Sequence, residues 1–341
     1  MAAILLARAG AEPILLDRDE VVGDALCGGF LSWKSAERLR AIGIGPVELG
    51  AHVVDRLTLF AGPREASVPL PSAGFGLSRR ALDTALRRRA VADGARLEID
   101  RARAVQPGLI TGEDREWPAD SIFLASGKHD VRGSARPREE SDPALGIRVR
   151  LPPAGGLRAL VRGCIELHLF RGGYAGIVMQ EDGSANVCLA VRKSLLAELG
   201  GDPRTLLDRL STDHPRFGER MQYAAADLTI DTVGSVPYGW IARTTEESLW
   251  RLGDQAAVIP SLAGEGMAIA MTSGREAAEG WLRGEDAIGF QTRFAAQAER
   301  PVRIAKLIWR IAEIDPGARL LAALIAGMPA LARAAMALTR I

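Results

Sequence analysis

Cysteine and histidine are scarce in this chain of 341 residues: Cys27, Cys164 and Cys188, and His52, His129, His168 and His214. Scattered in this way they exclude a disulfide framework and show no paired metal-ligand spacing, which predicts a reducing, cytoplasmic setting and no structural metal. Charge of one sign is lacking too. With 43 basic and 42 acidic residues there is no bulk attraction toward nucleic acid or an anionic membrane, so any anion site must be local. Long apolar runs are missing: residues 320–332 are apolar but are interrupted by Gly327 and Pro329, short of the ~20 residues a bilayer span needs. Residues 1–9 are apolar without a basic leader and run at once into strand-like sequence, which argues against a secretory signal. What remains is enough chain for two substantial domains and a sizeable core.

The most informative stretch is 249–271. A short strand ends at Gly253-Asp254, Pro260 and Gly264 shape a loop, and Gly266 opens a helix through Glu265-Gly266-Met267. A strand, a glycine-broken loop and a helix N-terminus in succession let backbone N–H groups approach a phosphate-bearing cofactor. Near the start, residues 1–9 read as a helix that Gly10 can close with a left-handed cap. Residues 12–17 then read as a buried parallel strand ending in an acid. In a dinucleotide-binding βαβ unit the acid ending the second strand holds the adenosine ribose, which makes Asp17 the ribose ligand. An acid at a strand end is also an ordinary solvated turn residue, and Asp17 gains weight only from its agreement with the later motif.

The glycine fingerprint of such a unit, Gly-x-Gly-x-x-Gly, and the strand before it are not in the sequence. The expectation is that Met1 is an internal methionine of a longer reading frame, with about twenty residues of strand and glycine turn upstream. The rival reading is a chain that holds its dinucleotide poorly.

Cys27-Gly28-Gly29 lies in a glycine-flanked loop before an amphipathic helix at 33–42. Ser78 caps a helix running through Ala92, and an apolar strand at 121–127 breaks at Gly127. Residues 97–105 and 116–117 suggest a small meander. From 144 to 250 the pattern changes to longer alternating strands: 164–170, 174–180 and 185–192, the last two joined by the turn 181–184. A helix at 203–223, interrupted near Pro215, packs beside them, and 230–237 returns the chain toward the Gly-Asp motif. Tyr238 and Trp240 read first as core side chains and second as residues facing a ligand, and His129 first as structural. The tail from 301 is helical, apolar and dotted with arginine. It reads as packing on the rest of the fold, with weak contact to a membrane surface as the second reading.

Together these motifs resemble the FAD-dependent oxidoreductases of the aromatic-ring hydroxylase and geranylgeranyl-reductase-like superfamily, over residues 1–297. The resemblance implies an α/β fold: a Rossmann-like FAD-binding domain with an inserted antiparallel β-sheet substrate domain and a C-terminal helical tail. The boundaries it suggests are 1–140 and 246–300 for the two parts of the FAD domain, 141–245 for the substrate domain and 301–341 for the tail. It implies that Gly253, Asp254, Pro260, Gly264, Glu265, Gly266 and Met267 form the second flavin motif. Cys27, Gly28 and Gly29 match the Cys-Gly-Gly loop near the flavin in the reductase-like branch, although a plain turn with a small buried thiol is an equal reading. Arg79 of the Ser-Arg-x-x-Leu-Asp helix start falls where the family's arginine reaches the cofactor phosphates. Gly127 ends an Ala-Ser-Gly strand where the family has Ala-Thr-Gly.

The function implied is flavin hydride chemistry on a small hydrophobic or aromatic substrate, of monooxygenase type, with NAD(P)H as the candidate reductant although no nicotinamide fingerprint is visible. The alternatives are a geranylgeranyl-reductase-like double-bond reductase and a non-catalytic remnant. No residue stands out as an acid, base or nucleophile.

Overall fold

The computed structural model describes residues 1–137 and 140–341. Helix α1 (Ala2–Arg8) ends where Gly10 enters the left-handed region at φ +84°. Strand β1 (Ile14–Asp17) and the short β2 (Phe30–Leu31) follow, and Ser32 caps α2 (Trp33–Ala41) by accepting from the Ser35 N–H. Residues 52–76 then form a long antiparallel pair, β3 (His52–Ala61) and β4 (Arg64–Gly76), where the sequence reading places no strand.

Ser78 caps α3 (Arg79–Ala92) as expected, its Oγ accepting from the Ala81 N–H at 3.0 Å. Next come β5 (Arg96–Ile99), β6 (Ala104–Gln106), β7 (Leu109–Thr111), β8 (Glu116–Pro118) and β9 (Ile122–Leu124). The meander exists, but it is β6-β7-β8. Strand β5, which the sequence places in it, instead pairs in parallel with β1.

The strand-rich middle holds β10 (Ala144–Leu151), α4 (Gly155–Val161), β11 (Cys164–Phe170), β12 (Gly173–Met179), β13 (Ala185–Arg192), α5 (Lys193–Glu198), α6 (Pro203–Asp213), α7 (Pro215–Met221) and β14 (Asp231–Val236). Pro215 opens α7, so the interruption falls where its missing N–H predicts it. After β15 (Leu249–Arg251) the chain is helical: α8 (Gly266–Leu282), α9 (Ala287–Ala312), α10 (Asp315–Gly327) and α11 (Pro329–Leu338).

The principal sheet has eight strands in the order β14-β10-β13-β12-β11-β3-β4-β2, antiparallel throughout except between β11 and β3. Three of its strands come from the first 76 residues, so segment 141–245 alone does not make it. Alternation along β11 assigns its two faces. Ile165, Leu167 and Leu169 point into a large cavity, while Glu166, His168 and Phe170 point into the core under α6 and α7. Two small parallel pairs, β1 with β5 and β9 with β15, complete the fold. Strand β1 is not buried as its sequence suggests: Ile14 is 45% exposed, because among the described residues only β5 pairs with it. The free edges of β1 and β9 both line the same cavity.

Behind the sheet sits a buried charge cluster. Arg220 grips both oxygens of Glu166 at 2.7 and 3.0 Å, and His168 Nε2 lies 3.1 Å from the same carboxylate. The His168 ring stacks on Phe60 with centroids 4.5 Å apart. Burial lowers the His168 pKa below its ordinary 6.5, overriding the pull of Glu166, whose charge Arg220 already satisfies. The unfolded chain therefore binds more protons than the folded one below pH 6.5. Stability should be full above that pH and fall as pH drops from 6.5 toward the folded value. His52 and His214 are lowered by burial too and act in the same window. Urea midpoints at pH 7.5 and 5.5 should show this loss, and His168→Gln should make it smaller without removing it.

Candidate functional site

A single cavity of about 1770 Å³ runs between the front of the large sheet, the two small parallel pairs and the C-terminal helices. An ordinary small-molecule pocket holds ~300–1,000 Å³, so this one has room for a dinucleotide and a second compound. Its walls are Asp17, the Cys27 loop, Arg79, the Gly127 turn, the Asp254 loop and the start of α8. Residues separated by more than 200 positions thus meet at one site. The sequence-predicted Asp17, Cys27, Gly28, Gly29, Arg79, Gly127, Gly253, Asp254, Gly264, Gly266 and Met267 all line it. Pro260 sits in the loop between them, and Glu265 lies behind the loop, fully buried.

The loop geometry follows from its glycines. Gly253 at φ +56° and Gly264 at φ +68° hold conformations that β-carbon-bearing residues avoid. A Cβ on Gly28, Gly127 or Gly266 would meet nothing within 4 Å, so these three leave open space rather than tight packing. Gly29 does the opposite: at φ +74° its Cβ would come within 2.8 Å of Gln180 Nε2, which presses the Cys27 loop onto the sheet. Asn186 on β13 completes that docking by donating to the carbonyls of Cys27 and Gly28 at 3.0 and 2.9 Å.

At the other end, α8 begins without a side-chain cap, and its first-turn N–H groups are left to whatever lies beyond Gly266. Glu265 carries a buried carboxylate whose charge partner is Arg340, the guanidinium of which also lies over the Trp33 ring at 4.3 Å. Desolvation lowers the Arg340 pKa to about 10, so it stays charged near neutrality.

Asp254 faces Lys128 at 3.8 Å, and its carbonyl accepts from Arg136 Nη1 at 3.0 Å. Gln255, with no exposed surface, donates to the carbonyls of Gly127 and His129 at 2.9 and 3.1 Å, stapling the two strand-end loops together. Arg79 is paired with Asp83 through three contacts of 2.7–3.1 Å, and Asp83 as nearest anion keeps its guanidinium charged despite burial. The Asp17 carboxylate is engaged by Arg87 Nη1 at 3.3 Å and by the Asp19 N–H at 3.1 Å, so a ribose hydroxyl would share it with these donors.

Sequence reasoning missed Asn186, Gln255 and Arg136, because their partners lie 118 to 159 positions away in the chain and no local pattern marks them. It half-saw Tyr238, which is both core and site. Its ring packs edge-on to Trp309 with centroids 5.0 Å apart, and its hydroxyl reaches Ser261 at 2.6 Å on the cavity wall. Trp240 packs against the same cluster, as the core reading has it.

No family profile matches the chain. The digeranylgeranylglycerophospholipid reductase 2 of Methanopyrus kandleri is 28% identical over 308 residues, spanning 82% of this chain and 73% of the relative. This similarity supports the resemblance to the FAD-dependent oxidoreductases. The fold agrees. A geranylgeranyl bacteriochlorophyll reductase-like protein of Thermoplasma acidophilum superposes with a TM-score of 0.74 at 17% identity, covering 95% of this chain and 88% of the other. The probable FAD-dependent monooxygenase PqsL of Pseudomonas aeruginosa superposes with a TM-score of 0.70 at 17% identity, covering 93% and 94%.

For a flavoprotein the residues present fit the cofactor at its ring end. The open space over Gly28, Gly127 and Gly266 and the uncapped start of α8 are features that a planar polar ring would occupy.

Proposed function

We propose that this oxidoreductase acts on a small hydrophobic or aromatic compound, in the manner of a monooxygenase. The observation that carries the reading is the continuity of the cavity. The glycine loops at 27–29, 127, 253–254 and 264–266 open directly onto an apolar chamber floored by Ile165, Leu167 and Leu169 and roofed by Leu321, Leu324 and Ile325. Bound FAD would supply hydride and electron transfer there, with NAD(P)H as the proposed reductant and the cytoplasm as the proposed setting.

The chain's own work is positioning. Gly253, Asp254, Pro260, Gly264, Gly266, Met267 and the Cys27-Gly28-Gly29 loop would hold the ring, Asp17 the ribose and Arg79 the phosphates. The positive end of α8 would stabilise negative charge on the pyrimidine side, while Glu265, neutralised by Arg340, fixes the loop from behind. The apolar walls exclude water. In this reading residues 1–140 and 246–300 make the cofactor part, 141–245 contributes the substrate sheet and 301–341 the roof.

A second reading, double-bond reduction of a longer apolar substrate, is favoured by the Methanopyrus relative and by the roof itself. Leu320 of α10, Met328 at the break between the helices and Leu331 of α11 expose large apolar surface near the chamber, and Arg319 and Arg333 are exposed among them. We propose weak membrane-surface contact through these helices. No single helix among the described residues is long and apolar enough to cross a membrane; only the pair Asp315–Gly327 and Ala330–Leu338, bent by 115°, passes on length and composition.

The test starts with the visible spectrum after incubation with FAD and desalting. Retained flavin bands are expected, and a colourless protein would favour the remnant reading. The reduced holoprotein is then mixed with aromatic and prenyl candidates. Oxygenated product formed only in air supports the monooxygenase, and a saturated product formed without oxygen supports the reductase.

A further inference from the structure

Two tyrosines and one serine on the chamber wall form a closed hydrogen-bond account with one donor left over. Tyr174, on β12, is 5% exposed and Tyr238, just beyond β14, is 6% exposed. Both phenolic oxygens lie 2.6 Å from the same atom, Ser261 Oγ, in the loop that follows Pro260. Among the described residues neither phenol has another side-chain partner, and the Ser261 backbone N–H also acts on the Tyr238 oxygen.

A phenol has one hydrogen to donate, and a buried donor left without an acceptor is costly, so each O–H is given to Ser261. A hydroxyl oxygen has two lone pairs, and these two donations fill them. Ser261 therefore has nowhere within the trio to direct its own hydrogen, and no carbonyl or carboxylate of the described residues accepts from it. The side chain is open to the cavity. Around it stand Leu169, Val236, Val258 and Leu262. Burial raises the pKa of both phenols far above their ordinary value, so they remain protonated and the direction of donation does not change at any working pH.

We propose that Ser261 is a specificity-determining residue whose oriented O–H seats a single hydrogen-bond acceptor, a carbonyl or comparable oxygen, on an otherwise apolar substrate. A purely hydrocarbon compound of the same shape leaves that donor unpaired in apolar surroundings and is rejected, because a site built to donate a hydrogen bond discriminates strongly against analogues that cannot accept it. The two phenols act through the serine. They hold its oxygen in place and point its hydrogen away from themselves. This inference rests on the reading of the chamber as the substrate's.

The test is a binding comparison that needs neither turnover nor a known substrate. 2-Acetylnaphthalene and 2-ethylnaphthalene share one apolar body and differ in the carbonyl. By equilibrium dialysis the protein should bind the ketone about 10-fold more tightly, the size of one directed hydrogen bond in an apolar site. Ser261→Thr keeps the hydroxyl and should keep the preference. Ser261→Ala should bring the two probes within about 2-fold of each other.

Equal binding of both probes to the unaltered protein, or an undiminished preference in Ser261→Ala, overturns the proposal. Should Ser261→Ala fail to fold, the infrared carbonyl stretch of the ketone bound to the unaltered protein decides. A downshift from its position in an alkane supports the donor, and an unshifted band removes it. Binding of neither probe would instead remove the chamber reading, and the inference with it, which separates that failure from the failure of Ser261 alone.

Discussion

Gly266→Leu should abolish FAD retention while leaving the apoprotein as stable as before or slightly more so. Gly266 is the first residue of α8, and a Cβ there would meet no atom within 4 Å, so the folded protein has room for the new side chain. Glycine is also the poorest helix former after proline, and replacing it can stabilise a helix by about 0.5–1 kcal/mol. The space the leucine would fill is the space in which the first-turn N–H groups of α8 face the cavity. A ligand that approaches those groups closely must lose both its contact and its place, which predicts affinity for FAD weaker by about 100-fold, or roughly 3 kcal/mol. Flavin absorbance after desalting and the thermal midpoint of the apoprotein check the two halves separately. Unchanged flavin retention would mean that the ring does not lie against α8. Loss of the fold would mean that the glycine serves packing instead.

The largest effect on stability is expected behind the sheet. Glu166→Ala leaves the Arg220 guanidinium buried without its bidentate partner, and removing one member of a buried ion pair costs about 3–5 kcal/mol. The same variant exposes the His168 ring nitrogen to a void where a carboxylate stood. Replacing both charges, as in Glu166→Leu with Arg220→Met, should recover most of that loss, because two well-packed apolar side chains need no desolvation. Urea midpoints of the two single variants and the double variant form the cycle that measures this coupling. The consequence reaches function because Glu166 alternates along β11 with Ile165 and Leu167, which floor the chamber. A shift of β11 behind the sheet becomes a shift of the substrate wall in front of it.

Much of this is legible in the sequence. The Ser78 cap, the left-handed Gly10, the break at Pro215 and the three strands between 164 and 192 each depend on local backbone chemistry, and each lies where that chemistry places it. The glycine-marked loops were readable for the same reason: the residues needed for unusual φ values or open backbone stand at fixed offsets in the chain. The hairpin at 52–76 was not readable, and neither was the parallel pairing of β5 with β1. The register of β5 is set by a partner some 80 residues away, and its own four residues fit a meander equally well. The exposure of Ile14 follows from the same non-local cause, since the burial of a strand is decided by its neighbours rather than by its hydrophobicity.

By itself, then, the sequence determined where the backbone turns, caps and lies open, and those positions carry the resemblance to flavoproteins. Only the tertiary structure decided which side chains close the site. Asn186 holds the Cys27 loop, Gln255 staples the Gly127 turn, Arg340 neutralises Glu265, and Tyr174 and Tyr238 fill both lone pairs of Ser261. The reason is physical. A glycine's conformational freedom is a property of one residue and its immediate neighbours, whereas a hydrogen-bond partner is chosen by the packing that brings two distant residues within 3 Å of each other and excludes water from both.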